Sequence, residues 1–251
     1  MTNNFDIENE RGIALSARID WPAQSPRAFA IFAHCFTCSR NLKAARQVIK
    51  GLSQQGIATL SFDFTGLGGS EGDFSETNFS TNIQDLLDAA SYLERQHGAP
   101  SLLVGHSLGG AAVLHAAHEL PSVKAVATIG APFSPSHVKH LFAHAHDEIH
   151  ADGEAEVRLG GRQFKIQKQL LDDLDAQDTT SCIASLERAL LVLHAPGDAT
   201  VGVENASRIF DAARHPKSFV SLHEADHLMS RARDARYAGE VIGAWAMRYI
   251  T

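Results

Sequence analysis

Residues 101–114 read Ser101-Leu102-Leu103-Val104-Gly105-His106-Ser107-Leu108-Gly109-Gly110-Ala111-Ala112-Val113-Leu114. Leu102, Leu103 and Val104 have the continuous apolar character of a buried strand. The small residues from Ala111 to Ala117 suit a helix packed closely on that strand. Between them stands Gly105-His106-Ser107-Leu108-Gly109, a Gly-x-Ser-x-Gly pentapeptide. A serine hydroxyl attacks a carbonyl only if it stands clear of its own backbone. A sharp strand-to-helix turn does that, and glycines on either side leave room for it. The helix start that follows aims N–H groups and a positive dipole end at developing negative charge. Without that context, the string is also compatible with a glycine-rich turn whose serine only caps a helix.

A serine nucleophile requires a base, and the base requires an acid to orient it. In an open parallel sheet the reactive groups gather at the strand C-termini. Downstream, an apolar strand over 189–193 runs into His194-Ala195-Pro196-Gly197-Asp198, which makes Asp198 the candidate acid. Asp after Pro-Gly also serves as an ordinary turn residue. The last strand leads into Leu222-His223-Glu224-Ala225-Asp226-His227, and His227 is the candidate base. His223 belongs at the strand end, and Asp226 is too close in sequence to reach the ring beside it. Ser107, Asp198 and His227 follow in the order serine, acid, histidine, which is the chain order of α/β-hydrolases.

The remaining sequence supplies a frame for such a site. Residues 5–20 alternate around Arg11-Gly12 and predict an antiparallel hairpin. Buried strands are expected over 28–33, 56–62, 102–104, 123–129, 189–193 and 219–223. Helices are expected over 41–55, 78–97, 111–117, 203–213 and 233–249. This alternation implies a doubly wound, mostly parallel α/β sheet. The rhythm breaks at 133–185, too long for a simple loop. That segment reads as a small cap: helix over 136–146, hairpin over 155–166 about Gly160-Gly161, and a short helix over 167–174. The expected organisation is one domain over 1–251 with this cap inserted.

Composition narrows the function. The chain has 251 residues, 44% hydrophobic and 20% charged, enough for one sizeable core. With a net charge of −7 and no long run of Lys or Arg, it offers no nucleic-acid surface. The polar, acidic start is unlike a signal peptide, and no apolar run reaches membrane-spanning length. Three cysteines, Cys35, Cys38 and Cys182, fit a reduced, cytoplasmic setting.

An oxyanion needs two donors. The Leu108 backbone N–H is one, and the loop His34-Cys35-Phe36 after the 28–33 strand should supply the other. Here the chain resembles the α/β-hydrolase superfamily over nearly its whole length. The resemblance maps the family's His-Gly-x loop onto His34, Cys35 and Phe36, with cysteine in place of glycine. It implies that the Phe36 N–H is the second donor. Asp63-Phe64-Thr65-Gly66-Leu67-Gly68 resembles the family's turn below the pocket. The string His34-Cys35-Phe36-Thr37-Cys38-Ser39-Arg40 is similar to hydrolase modules often fused ahead of an OsmC-type peroxide-reducing domain. The expectation is a stand-alone relative or a separated module, and peroxide chemistry is not carried over.

These readings predict a serine hydrolase acting on a small-molecule carboxylic ester, without a cofactor. His34, Cys35, His106 and Phe133 are the residues expected to contact substrate. Thioester or amide cleavage would use the same parts, and a silent binding protein on the same scaffold is the rival class. Two features stand apart. Cys35-x-x-Cys38 has the spacing of a redox pair, although small residues in a tight loop fit as well. His137, His140, His144, His146 and His150 crowd the cap, three of them at helical spacing, where a solvated helix competes with a metal site. No metal is assigned, and the oligomeric state is left open.

Overall fold

The computed structural model describes residues 2–250. Eight strands form one sheet, antiparallel at one edge and parallel through the rest. Strands β1 (Thr2–Glu8) and β2 (Ala14–Asp20) are the antiparallel hairpin, and β2 pairs antiparallel with β4 (Ile57–Phe62). From β4 the sheet is parallel through β3 (Ala28–Ala33), β5 (Leu102–His106), β6 (Ala125–Ile129), β9 (Ala189–His194) and β10 (Lys217–Ser221). Every residue of β4, β5, β6 and β9 is buried, which is why these strands are predominantly apolar, with Thr59, Ser61 and Thr128 as buried polar exceptions inside them.

Helices cover both faces. On one face α1 (Lys43–Gln54) and α8 (Ala232–Ile250) pack Val48, Leu52, Ala238 and Ile242 against alternate strand residues. On the other lie α2 (Phe79–Gln96), α3 (Leu108–Ala116) and α7 (Glu204–Ala212). Helix α2 starts sharply because Asn78 and Thr81 form a reciprocal capping box.

Between β6 and β9 the cap comprises a 3-10 run (Pro135–Ala145), α4 (His146–Asp152), the hairpin β7 (Glu154–Leu159) and β8 (Arg162–Gln167), α5 (Lys168–Asp175) and α6 (Thr179–Ala184). Its apolar side chains, Phe142, Ile149, Val157 and Ile166 among them, merge with the core of the α2 and α3 face. The continuous helix expected over 136–146 is instead a 3-10 run broken at Phe142, whose φ is −133°. Phe142 is fully buried and packs near Phe36 and His146, so tertiary packing overrides the local helical pattern. Strand β10 lies two residues earlier than its apolar pattern suggests. As an edge strand it tolerates Lys217 and Ser218, so its ends are not marked by hydrophobicity.

Candidate active site

The turn from β5 to α3 places Ser107 at φ 55° and ψ −125°, a left-handed position that a side chain reaches only when its surroundings hold it. The Ser107 N–H donates to the Ile129 carbonyl at 2.9 Å, and the Ser107 carbonyl accepts from Gly110 N–H at 2.8 Å. A methyl group at Gly105 would strike the backbone of Gly109 and Gly110, and one at Gly109 would strike Ala33 and His34. The two glycines therefore let β5, β3 and the first turn of α3 approach this closely.

His227 lies in the loop after β10, 120 residues from Ser107 in sequence, yet its Nε2 is 3.0 Å from Ser107 Oγ. Its Nδ1 lies 2.7 Å from Asp198 Oδ2. A carboxylate only accepts, so Nδ1 carries the hydrogen. In the neutral ring Nε2 is then left to accept from the serine hydroxyl. Asp198 Oδ1 accepts from the Thr200 and Val201 N–H groups, both at 2.9 Å. Burial alone would raise the Asp198 pKa. The hydrogen bonds from His227, Val201 and Thr200 outweigh it and hold the carboxyl below its ordinary value. Gly130, at φ 55°, sits against this pair: a methyl group there would come within 3.4 Å of Asp198 Oδ2 and 3.5 Å of His227 Nδ1.

The loop after β3 is pinned from several sides. Cys35 and Cys38 form a disulfide with Cα atoms 5.3 Å apart. They close a β-turn in which Cys38 N–H donates to Cys35 O at 3.1 Å, with Thr37 at φ 58°. This corrects the expectation of reduced cysteines. The turn at Thr37 folds the i and i+3 residues onto each other, and their separation suits a bridge. Phe36 lies inside this turn. Neither the Phe36 N–H nor the Leu108 N–H has a hydrogen-bond acceptor among the described residues. Below the loop, the Asp63 carboxylate accepts from Arg40 N–H and Arg40 Nη1, each at 2.6 Å, in a buried ion pair.

A cavity of about 540 Å³ opens over Ser107 and His227, bordered by Cys35, Phe36, Leu141 and Leu228. Of the residues expected to contact substrate, only Cys35 lines it. The His34 ring is buried below, where Nδ1–H donates to Cys35 O at 2.8 Å and Nε2 accepts from Phe64 N–H at 3.3 Å. His106 is also buried, and its Nε2–H donates to the His227 carbonyl at 2.7 Å. Burial is the chief reason the His106 pKa is pushed down to about 4, so the ring is neutral. Phe133 packs beneath the Arg208 guanidinium, 4.0 Å from its ring centre. Asp226 points away and accepts from Ser230 N–H. In the cap, His137, His140 and His146 donate to backbone carbonyls, and no cluster suited to a metal ion exists among the described residues.

The sequence motifs hold Arg40 and Asp63 only as members of their loops, without pairing them, and leave Gly130 unmarked. An aspartate ending a buried strand was the available signal for the first two, since such a charge needs a partner.

The sheet order and the site at the strand C-termini are those of an α/β hydrolase. The chain belongs to the Hydrolase_4 family, described as serine aminopeptidase, S33, whose family model matches residues 24–151. It is 49% identical to the esterase domain of a Rhodothermus marinus protein, with 100% of both chains covered and a TM-score of 0.82. Est1E from Butyrivibrio proteoclasticus, solved with ferulic acid bound, shares the fold at 20% identity and a TM-score of 0.80, covering 98% of this chain and 99% of its own. The mitochondrial palmitoyl-protein thioesterase ABHD10 of Rattus norvegicus is 35% identical over 100 residues, 40% of this chain and 32% of that relative. The chain thus spans about a third of that relative's length. With its family and the 49% identical esterase domain, the protein is an esterase-like hydrolase. No helix among the described residues is long and apolar enough to cross a membrane.

Proposed function

We propose that the protein hydrolyses carboxylic esters of small molecules through Ser107, His227 and Asp198. The observation that carries this is the hydrogen-bonded row from Asp198 Oδ2 through the His227 ring to Ser107 Oγ, with steps of 2.7 and 3.0 Å. Ser107 Oγ attacks the acyl carbon as its proton passes to His227 Nε2. Asp198 holds the ring in the tautomer that can accept that proton and steadies the imidazolium formed. The free N–H groups of Phe36 and Leu108 receive the oxyanion. His227 then protonates the leaving alkoxide, and water repeats the cycle on the acyl-enzyme.

The same groups would cleave a thioester, and the likeness to a palmitoyl-protein thioesterase over 100 residues makes that the second reading. Labelling with a fluorophosphonate, located by peptide mass spectrometry, tests the nucleophile. Turnover of matched oxygen and sulfur esters separates the two readings. Absence of label on Ser107 in folded protein would remove both.

A further inference from the structure

The lining of the cavity over Ser107 is largely apolar, with Leu42, Pro132, Val138, Leu141 and Leu228 among its walls. Apart from His227, it includes one ionisable side chain, Arg162, at the start of β8 on the cap hairpin, and no carboxylate. Three other cap cations hold carboxylates: Lys139 with Asp175, Lys165 with Glu154, and Lys168 with Asp172. Arg162 forms no ion pair among the described residues. Arg158, the other unpaired cation of the hairpin, does not line the cavity.

Arg162 is nevertheless held in place. Its Nη2 donates to the Thr37 carbonyl, in the turn that carries Phe36, and its guanidinium stacks 5.0 Å from the centre of the Phe164 ring. One of five N–H donors is used there, which leaves an edge of the fork for another acceptor. Its charge is felt inside the site. Burial is the main reason the His34 pKa lies below its ordinary value, and the charges of Arg40 and Arg162 add to that lowering. The molecule as a whole carries a net charge of −7, so this cation is a local exception at the mouth of the site.

We propose that the cavity takes esters bearing a carboxylate, and that Arg162 receives it while the apolar wall covers the hydrocarbon part. The proposal rests on the reading of Ser107 as the nucleophile of an ester hydrolase. The carboxylate could belong to the acyl part, as in a dicarboxylic monoester, or to the alcohol part. Either would form a charge-assisted, two-pronged contact with the free edge of the guanidinium.

The test compares three esters: para-nitrophenyl hexanoate, mono-para-nitrophenyl adipate, and para-hexanoyloxybenzoate. In Arg162→Gln the ratio of kcat/KM on one carboxylate ester to that on the hexanoate should fall about tenfold, the size of a charged hydrogen bond, chiefly through KM. Which ester responds identifies the side that carries the anion. Arg162→Lys should keep part of the preference, and about 0.5 M sodium chloride should erode it in the parent. An unchanged ratio on both carboxylate esters would overturn the proposal and leave the hydrolase reading intact. A second arm does not depend on turnover. Calorimetric binding of the adipate monoester to Ser107→Ala should weaken about tenfold when Arg162→Gln is added. Loss of turnover in the parent with that binding difference intact would sink the hydrolase reading alone. Equal binding in both would sink the carboxylate site.

Discussion

The His106 side chain donates from Nε2 to the backbone carbonyl of His227 at 2.7 Å, tying the residue before Ser107 to the loop that carries the base across 121 positions of sequence. The bond fixes the distance between the proposed nucleophile and its base without touching substrate. His106→Phe keeps a ring of similar size and removes the donor. We expect kcat to fall about tenfold or more with KM nearly unchanged, because small displacements of a base are costly. Steady-state kinetics on one ester checks this, and a change confined to KM would assign His106 to substrate binding instead.

Replacing Ser107 with alanine should reduce ester turnover to roughly a millionth of the parent rate, as in other serine triads, with the fold preserved. Parent-like turnover in a variant purified free of host esterases would exclude Ser107 as the nucleophile.

The two candidate acids separate cleanly by geometry. Asp198 holds His227 Nδ1 at 2.7 Å, whereas the Asp226 carboxylate accepts from Ser230 N–H at 2.8 Å. Asp198→Asn should cost roughly ten-thousandfold in kcat, since an amide at that position selects the wrong tautomer. Asp226→Asn should cost little. Equal losses would indicate that the Asp198 contact is not the one that matters.

Breaking the Cys35–Cys38 bridge should loosen the turn that carries Phe36. Its β-branched residue, Thr37, holds a φ of 58° that is unfavourable without support. Loss of an entire oxyanion donor costs roughly a hundredfold, so a loosened one should lower kcat by about tenfold. Dithiothreitol should produce this drop and removal with an oxidant should reverse it. Cys38→Ala should match the reduced rate and ignore the reagent. Full activity in both would show that the loop's other bonds suffice to hold it.

Stability should decline on acidification. In the fold, the His106 and His115 pKa values are lowered from 6.5 to about 4, chiefly by burial. The unfolded chain therefore takes up these protons first, between roughly pH 6.5 and 4. Stability is full above that window and is lost as pH falls through it. Asp198, whose folded pKa is also depressed, adds a further loss at lower pH as its carboxylate protonates. Thermal melts across the range should show Tm falling, and His115→Gln should flatten the slope. Tm values independent of pH below 6.5 would contradict the assignment of these rings as neutral.

Much of the candidate site's geometry was legible in the chain because its signals are local. The Gly105-His106-Ser107-Leu108-Gly109 string implies a turn that few other sequences could make, since backbone atoms of Gly109 and Gly110 fill the space a side chain on Gly105 would need. Buried strands read as apolar runs because both faces are covered. Strand ends then marked Asp198 and His227 as residues that a parallel sheet delivers to one edge. Tertiary structure alone decided where rings and charges point. His34 and His106 sit where pocket residues would, yet the fold turns both rings onto backbone groups, because a buried ring nitrogen must find a partner. The state of Cys35 and Cys38 depended on the backbone angle at Thr37, which the spacing of two cysteines leaves open. Arg162 reaches the cavity because the tertiary fold brings the β7–β8 hairpin beside Ser107 and His227. Such long-range placement is set by the packing of Phe142, Phe164 and their neighbours, not by any pattern in the residues beside it.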